Sequence, residues 1–234
     1  MVNIQNADSL AVAKDAVLDQ QATVKTLSIW ELLTSGGIGG QIIMLVLGIL
    51  FFVAIYIYIE RAMALKAASK EDKGFMNQIR DHIIHRRFDS AKLLCQHTNT
   101  PVSRLIEKGI SRIGKPLDDI NTAIESAGKL EIYNLEKNVS ILATISGAGP
   151  MIGFLGTVYG MILAFHEIST GGGQVQMDVL AGGIYTAMTT TVVGLIIGIF
   201  SYIGYNHLVV KTDKIVNLME ANAVEFLDLL NDPV

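Results

Sequence analysis

Three apolar stretches restrict what this chain can fold into more than any other feature. Ile38 to Ile59, Val139 to Phe165 and Val179 to Tyr205 contain no aspartate, glutamate, lysine or arginine. A hydrocarbon layer about 30 Å thick is crossed by roughly 20 helical residues at 1.5 Å each, so every stretch is long enough to span it. None alternates apolar and polar residues as a barrel strand would. The reading is an all-α integral membrane protein with three transmembrane helices. The positive mean hydropathy agrees, and glycines and threonines that weaken a soluble helix are ordinary in a membrane one.

Basic residues set the orientation. Residues 60–138 carry 14 basic and 11 acidic side chains, whereas His166 to Asp178 holds Glu167 and Asp178 and no lysine or arginine. The larger segment is therefore expected in the cytoplasm. Residues 1–37 become an extracytoplasmic segment with an interfacial helix around Trp30 and its neighbouring leucines. Residues 38–59, 139–165 and 179–205 are the spans, 60–138 a helical cytoplasmic loop, 166–178 a short periplasmic loop, and 206–234 a cytoplasmic C-terminal helix. Residues 1–37 have no apolar core ahead of a cleavage site, so the first span is expected to direct insertion.

The cytoplasmic loop has helix signals of its own. Asp89 is a candidate N-cap, Thr100-Pro101 supplies a cap and a first-turn proline, and Gly114 and Pro116 separate two helices. From Leu117, apolar residues through Ile120, Ile124, Leu130 and Leu135 keep helical spacing and meet no breaker before the second span. One long helix leaving the membrane is expected there. Ile215, Met219, Phe226 and Leu230 similarly extend the third span into the cytoplasm with an apolar face.

Within the spans, Ser146, Pro150, Gly153, Thr157, Gly160 and Ala164 fall on one side of the second helix at 100° per residue. Ala187, Thr191, Gly194 and Gly198 form a counterpart on the third. Two readings follow. Small residues four apart commonly mark close helix packing, and membrane threonines often bond a carbonyl one turn back. Alternatively both stripes face a shared central path, with Thr157 and Thr191 giving hydroxyls to it. No span contains the carboxylate from which proton relays are usually built, so a titrating group would have to come from another chain.

Other chemistry is sparse. His82, His85, Cys95 and His97 match no common zinc spacing. Gly171-Gly172-Gly173 follows no strand and precedes no phosphate-binding lysine, and no nucleophile, base and acid stand at recognisable spacing. Neither an enzyme, a cofactor, a metal nor a nucleic-acid partner is expected. His166-Glu167 reads as an interfacial anchor.

"GPMIGFLGTVYGM" (149–161) followed by "AGGIYTAMTTTVVGLIIGI" (181–199) resembles the channel region of the MotA/TolQ/ExbB proton-channel family, most closely its ExbB branch. The resemblance runs from about Trp30 to the C-terminal helix. It implies a homopentamer in the bacterial inner membrane around two single-span partners of the ExbD type, energising a TonB-like protein for outer-membrane uptake. A partner aspartate would carry protons, the coupling ion, past threonines that correspond to Thr157 and Thr191. A TolQ-like envelope-integrity motor or a gliding motor uses the same parts, and a purely structural scaffold is the rival from another class. Such sequences often carry a glutamate where Thr186 stands, which speaks against a titrating group in this chain. Thr186 lies about 140° around the helix from Thr191 and is expected to face a neighbouring helix, as a possible polar contact.

Overall fold

The computed structural model describes residues 37–69, 74–170 and 177–231, in which all regular structure is α-helix. In chain order these are α1 (Gly37–Ala68), α2 (Phe75–Ile84), α3 (Phe88–Thr98), α4 (Pro101–Ile110), α5 (Leu117–Glu136), α6 (Val139–Thr170) and α7 (Met177–Asn231). Three of them, α1, α6 and α7, are long and apolar enough to cross a membrane. The expected interfacial helix around Trp30 and the triple glycine at 171–173 lie outside the described residues.

α6 and α7 pack along each other, and α1 lies against the pair. Leu47, Ala54, Ile57 and Leu65 bury one side of α1, while Ile42, Leu45, Ile49, Phe52 and Tyr56 remain exposed on the other. That exposed side suits lipid, which solvates apolar side chains as readily as a core does. Phe51 and Tyr58 of α1 meet Phe200 of α7 edge-on, with centroids 6.1 and 6.5 Å apart.

Beyond the apolar zone, α2 to α5 gather around the second half of α7. Ile79, Ile106, Ile124, Met219 and Phe226 are buried in one core continuous with that of the spans. Phe226 is fully buried because Gly109 leaves room for it: a Cβ at Gly109 would stand 2.6 Å from its ring. α4 and α5 are also clamped by charge. The Arg104 Nε and Nη2 donate to the two Glu131 carboxylate oxygens at 2.8 and 2.6 Å, and this pairing raises the guanidinium's pKa further.

The capping signals resolve unevenly. Thr100 caps α4: its hydroxyl accepts from the Ser103 N–H at 3.3 Å, the Ser103 hydroxyl accepts from the Thr100 N–H at 2.9 Å, and Pro101 opens the helix. Gly114, with φ +95°, makes the turn before α5. Asp89 is not a cap, because α3 already begins at Phe88, with Arg87 in the N-cap position. It sits instead in the first turn, where a carboxylate complements the helix dipole.

The single helix expected from Leu117 into the second span is two helices. α5 ends at Glu136 and α6 starts at Val139. Between them Asn138 takes a left-handed φ of +64°, a conformation asparagine reaches more easily than other non-glycine residues. Its carbonyl then accepts from the Ile141 N–H at 3.2 Å as α6 begins. α7, by contrast, runs unbroken for 55 residues, about 82 Å at 1.5 Å per residue.

Candidate functional site

The contact between α6 and α7 is built on missing side chains. A Cβ added at Gly153 would stand 2.8 Å from the Thr190 carbonyl oxygen, and one at Gly194 would stand 2.5 Å from the Gly149 carbonyl oxygen. At Gly160 it would meet the Ala187 Cβ at 2.9 Å, and at Gly183 the Ala164 Cβ at 3.0 Å. Gly198 lies over Pro150, where an added Cβ would reach the ring at 2.6 Å and the Ser146 carbonyl oxygen at 3.0 Å. Pro150 has no N–H for that Ser146 carbonyl, one turn back. The two backbones therefore touch along four turns, as small residues permit in membranes.

The stripe residues thus meet each other within one chain. Gly153, Gly160, Ala187, Gly194 and Gly198 are buried in this contact, and Ser146 and Pro150 are half-buried at its edge. For the glycines, close packing accounts for the spacing.

The hydroxyls separate into distinct settings. Thr190 is buried and its Oγ1 lies 2.8 Å from the Ala187 carbonyl oxygen and 3.2 Å from that of Gly153. Thr191 Oγ1 donates across the contact to the same Gly153 oxygen at 3.0 Å. Thr157 Oγ1 donates to the Phe154 carbonyl at 2.6 Å, Thr189 to Tyr185 at 2.9 Å, and Ser146 to Ala143 at 2.7 Å. Thr186 is buried toward α1, its methyl near enough that a Cβ on Gly40 would stand 3.5 Å away.

α1 marks one edge of the contact. Tyr159 covers the backbone of Gly39, and Thr186 faces Gly40. At 100° per residue, Thr157 lies about 160° around α6 from Tyr159, and Thr191 about 140° around α7 from Thr186. Both threonines therefore occupy the edge away from α1, and their hydroxyls bond the carbonyls of successive residues, Gly153 and Phe154.

This arrangement has a chemical consequence. A hydroxyl that has given its hydrogen to a carbonyl presents only lone pairs outward. Thr157 and Thr191 can thus accept from a protonated carboxyl or a water, whereas an ionised carboxylate would find no donor until a hydroxyl turned. The pairing of Thr190 with Thr191 on one carbonyl was beyond sequence reasoning, since spacing reveals a face and not the atom it meets. Tyr185 Oη and Ser201 Oγ are also buried, without a hydrogen-bond partner among the described residues.

Elsewhere, no three His, Cys, Asp or Glu side chains converge on a possible metal position among the described residues. His85 Nδ1 lies 2.8 Å from the Asp81 carbonyl oxygen. Cys95 is buried, and the loss of water around it pushes its thiol pKa up to about 12. The Thr170 hydroxyl donates to the His166 carbonyl at 3.0 Å near the end of α6.

The chain is similar in sequence to known proteins over most of its length. The chain is 27% identical to the Tol-Pal system protein TolQ of Haemophilus influenzae, over 86% of its own length and 91% of that protein's. It is 25% identical to TolQ of Pseudomonas aeruginosa, over 88% and 94%. The biopolymer transport protein ExbB of Helicobacter pylori is 35% identical over a shorter match, 34% of this chain and 54% of that one. The model of the MotA/TolQ/ExbB proton channel family matches residues 97–221. That match takes in the whole α6–α7 contact, and the chain belongs to the MotA/TolQ/ExbB proton channel family.

Proposed function

We propose that this chain is an ExbB-like stator subunit of an inner-membrane motor driven by the proton-motive force. Five copies surround two single-span, ExbD-like partners and energise a TonB-like protein for outer-membrane uptake. The N-terminus is periplasmic and α2 to α5 are cytoplasmic, as the basic excess of residues 60–138 favours. The observation that carries the reading is the placement of Thr157 and Thr191 on one edge of a wall without charged groups, both hydroxyls tied to adjacent carbonyls.

In this mechanism the chain contributes surroundings, and the partner contributes the titrating aspartate. An ionised carboxylate is costly in a dry apolar wall. The lone pairs of Thr157 and Thr191 accept from its protonated form, so they favour a neutral carboxyl while it passes. The proton leaves where water replaces the threonines. Protons are the coupling ion, and the chain itself needs no cofactor.

A TolQ-like role in envelope integrity is the second reading, and the near full-length similarity to two TolQ proteins favours it. Native mass spectrometry of the chain, alone and co-expressed with its single-span partner, tests the stator assembly. Five copies that gain two partner chains support it, and a monomer or dimer indifferent to the partner rejects it. A deletion strain then separates the roles: failed siderophore-dependent growth marks the ExbB-like one, and detergent sensitivity with periplasmic leakage marks the TolQ-like one.

A further inference from the structure

The break between α5 and α6 leaves an open pocket of about 530 Å³. Its lining includes Tyr133 and Glu136 of α5, Lys137 of the break itself, Ser140 of α6, and Tyr205 and Val209 of α7. The pocket sits where apolar spans give way to polar helices, because Val139 begins one uncharged stretch and Tyr205 ends another. Tyrosines at such a boundary place their rings in the apolar zone and their hydroxyls at headgroup level.

One acid and one base stand side by side in this lining. Neither Glu136 nor Lys137 forms a salt bridge among the described residues. Glu60, whose carboxylate feels the Lys137 charge, is itself held by Arg61. The pocket therefore offers a cation and an anion on neighbouring residues, with two tyrosines in the same lining, at the boundary where lipid headgroups lie.

From this charge pattern we propose that the α5–α6 corner binds the headgroup of phosphatidylethanolamine. The phosphate meets the Lys137 ammonium, and the lipid ammonium donates to the Glu136 carboxylate, both as charge-assisted hydrogen bonds. Tyr205 and Val209 flank the glycerol end. An anionic phosphatidylglycerol would satisfy Lys137 and be repelled by Glu136. A phosphatidylcholine has no N–H to give that carboxylate. The proposal stands apart from the stator reading, since it concerns a lipid site on each copy of the chain.

The test uses the full chain in mild detergent, stripped of lipid and offered equal amounts of dioleoyl phosphatidylethanolamine, phosphatidylglycerol and phosphatidylcholine in native mass spectrometry. Phosphatidylethanolamine is expected to be retained about tenfold over either competitor, the scale of one hydrogen bond to a charged group. Lys137→Ala is expected to lower its retention about tenfold. Glu136→Ala is expected to turn the preference toward phosphatidylglycerol. Lys115→Ala, in the turn before α5, should leave retention unchanged, and circular dichroism checks that each variant keeps its helices. Equal retention of the three lipids, a wild-type preference for phosphatidylglycerol, or indifference to both pocket variants overturns the proposal. So does efficient cross-linking between copies through Ser140→Cys with no lipid retained, because a second copy would then fill the pocket.

Discussion

Thr190 and Thr191 share one acceptor, the Gly153 carbonyl, yet their surroundings differ. Thr190 is sealed in the contact between α6 and α7, with Ala187 as an alternative acceptor, and Thr191 stands at its open edge. Valine in either place removes a hydroxyl bond worth about 1 kcal/mol or less in a membrane protein. Thr190→Val is therefore expected to lower thermal stability in detergent by about that amount and keep transport. Thr191→Val is expected to assemble normally and abolish siderophore-dependent growth in iron-starved cells. Equal transport by the two variants would favour the scaffold reading. At Cys95, burial moves the thiol from an ordinary pKa of 9.0 to about 12. At pH 8 the reactive thiolate is then scarcer by about a thousandfold, three pKa units. Maleimide labelling of the native chain is expected to run at least about a hundredfold slower than in denaturing detergent.

Among the helices, the α6–α7 contact depends on backbone proximity and the α4–α5 contact on charge. Gly194→Ala would drive a methyl into the Gly149 carbonyl, whereas a Cβ at Gly147 meets nothing within 4 Å. The first change is expected to cost about 2–3 kcal/mol by overpacking, and the second to stay within about 0.5 kcal/mol. Thermal unfolding of the two variants side by side measures the difference. In the α4–α5 clamp, Arg104→Leu strands the Glu131 carboxylate, whose side chain is 11% exposed against 41% for Arg104. Solvent screening at the arginine reduces the loss to about 1–2 kcal/mol, below the range of a fully buried pair. Urea titration of the variant checks this.

Across the whole molecule, α7 joins two packing regimes in one rigid element. Its first half touches α6 through glycines and small hydroxyl residues, and its second half presents Met219 and Phe226 to α4 and α5. A load on the polar bundle therefore bears on the same helix that carries Thr191. Phe226→Ala is expected to cost the bundle about 3–4 kcal/mol through the cavity it leaves. Hydrogen exchange should rise in α4, α5 and the end of α7 while the α6–α7 contact stays protected. Faster exchange at Gly153 and Thr191 as well would show that the two regimes unfold together.

Much of this was legible in the chain itself. Three uncharged stretches of spanning length leave helices as the answer, because lipid offers no partner for unpaired backbone. The channel motif brought out Thr157 and Thr191, and Thr100-Pro101 announced the cap of α4. Other features depend on which surfaces meet in space, and periodicity carries no such information. Asn138 breaks a run with no glycine or proline to mark the break, and Asp89 yields the cap to Arg87. The residues of the small stripe were visible in sequence, but only the tertiary structure decided that its glycines face one another within a single chain. It also decided that Thr190 and Thr191 converge on one carbonyl, since a hydrogen bond between helices is set by their approach and rotation, which no single helix encodes.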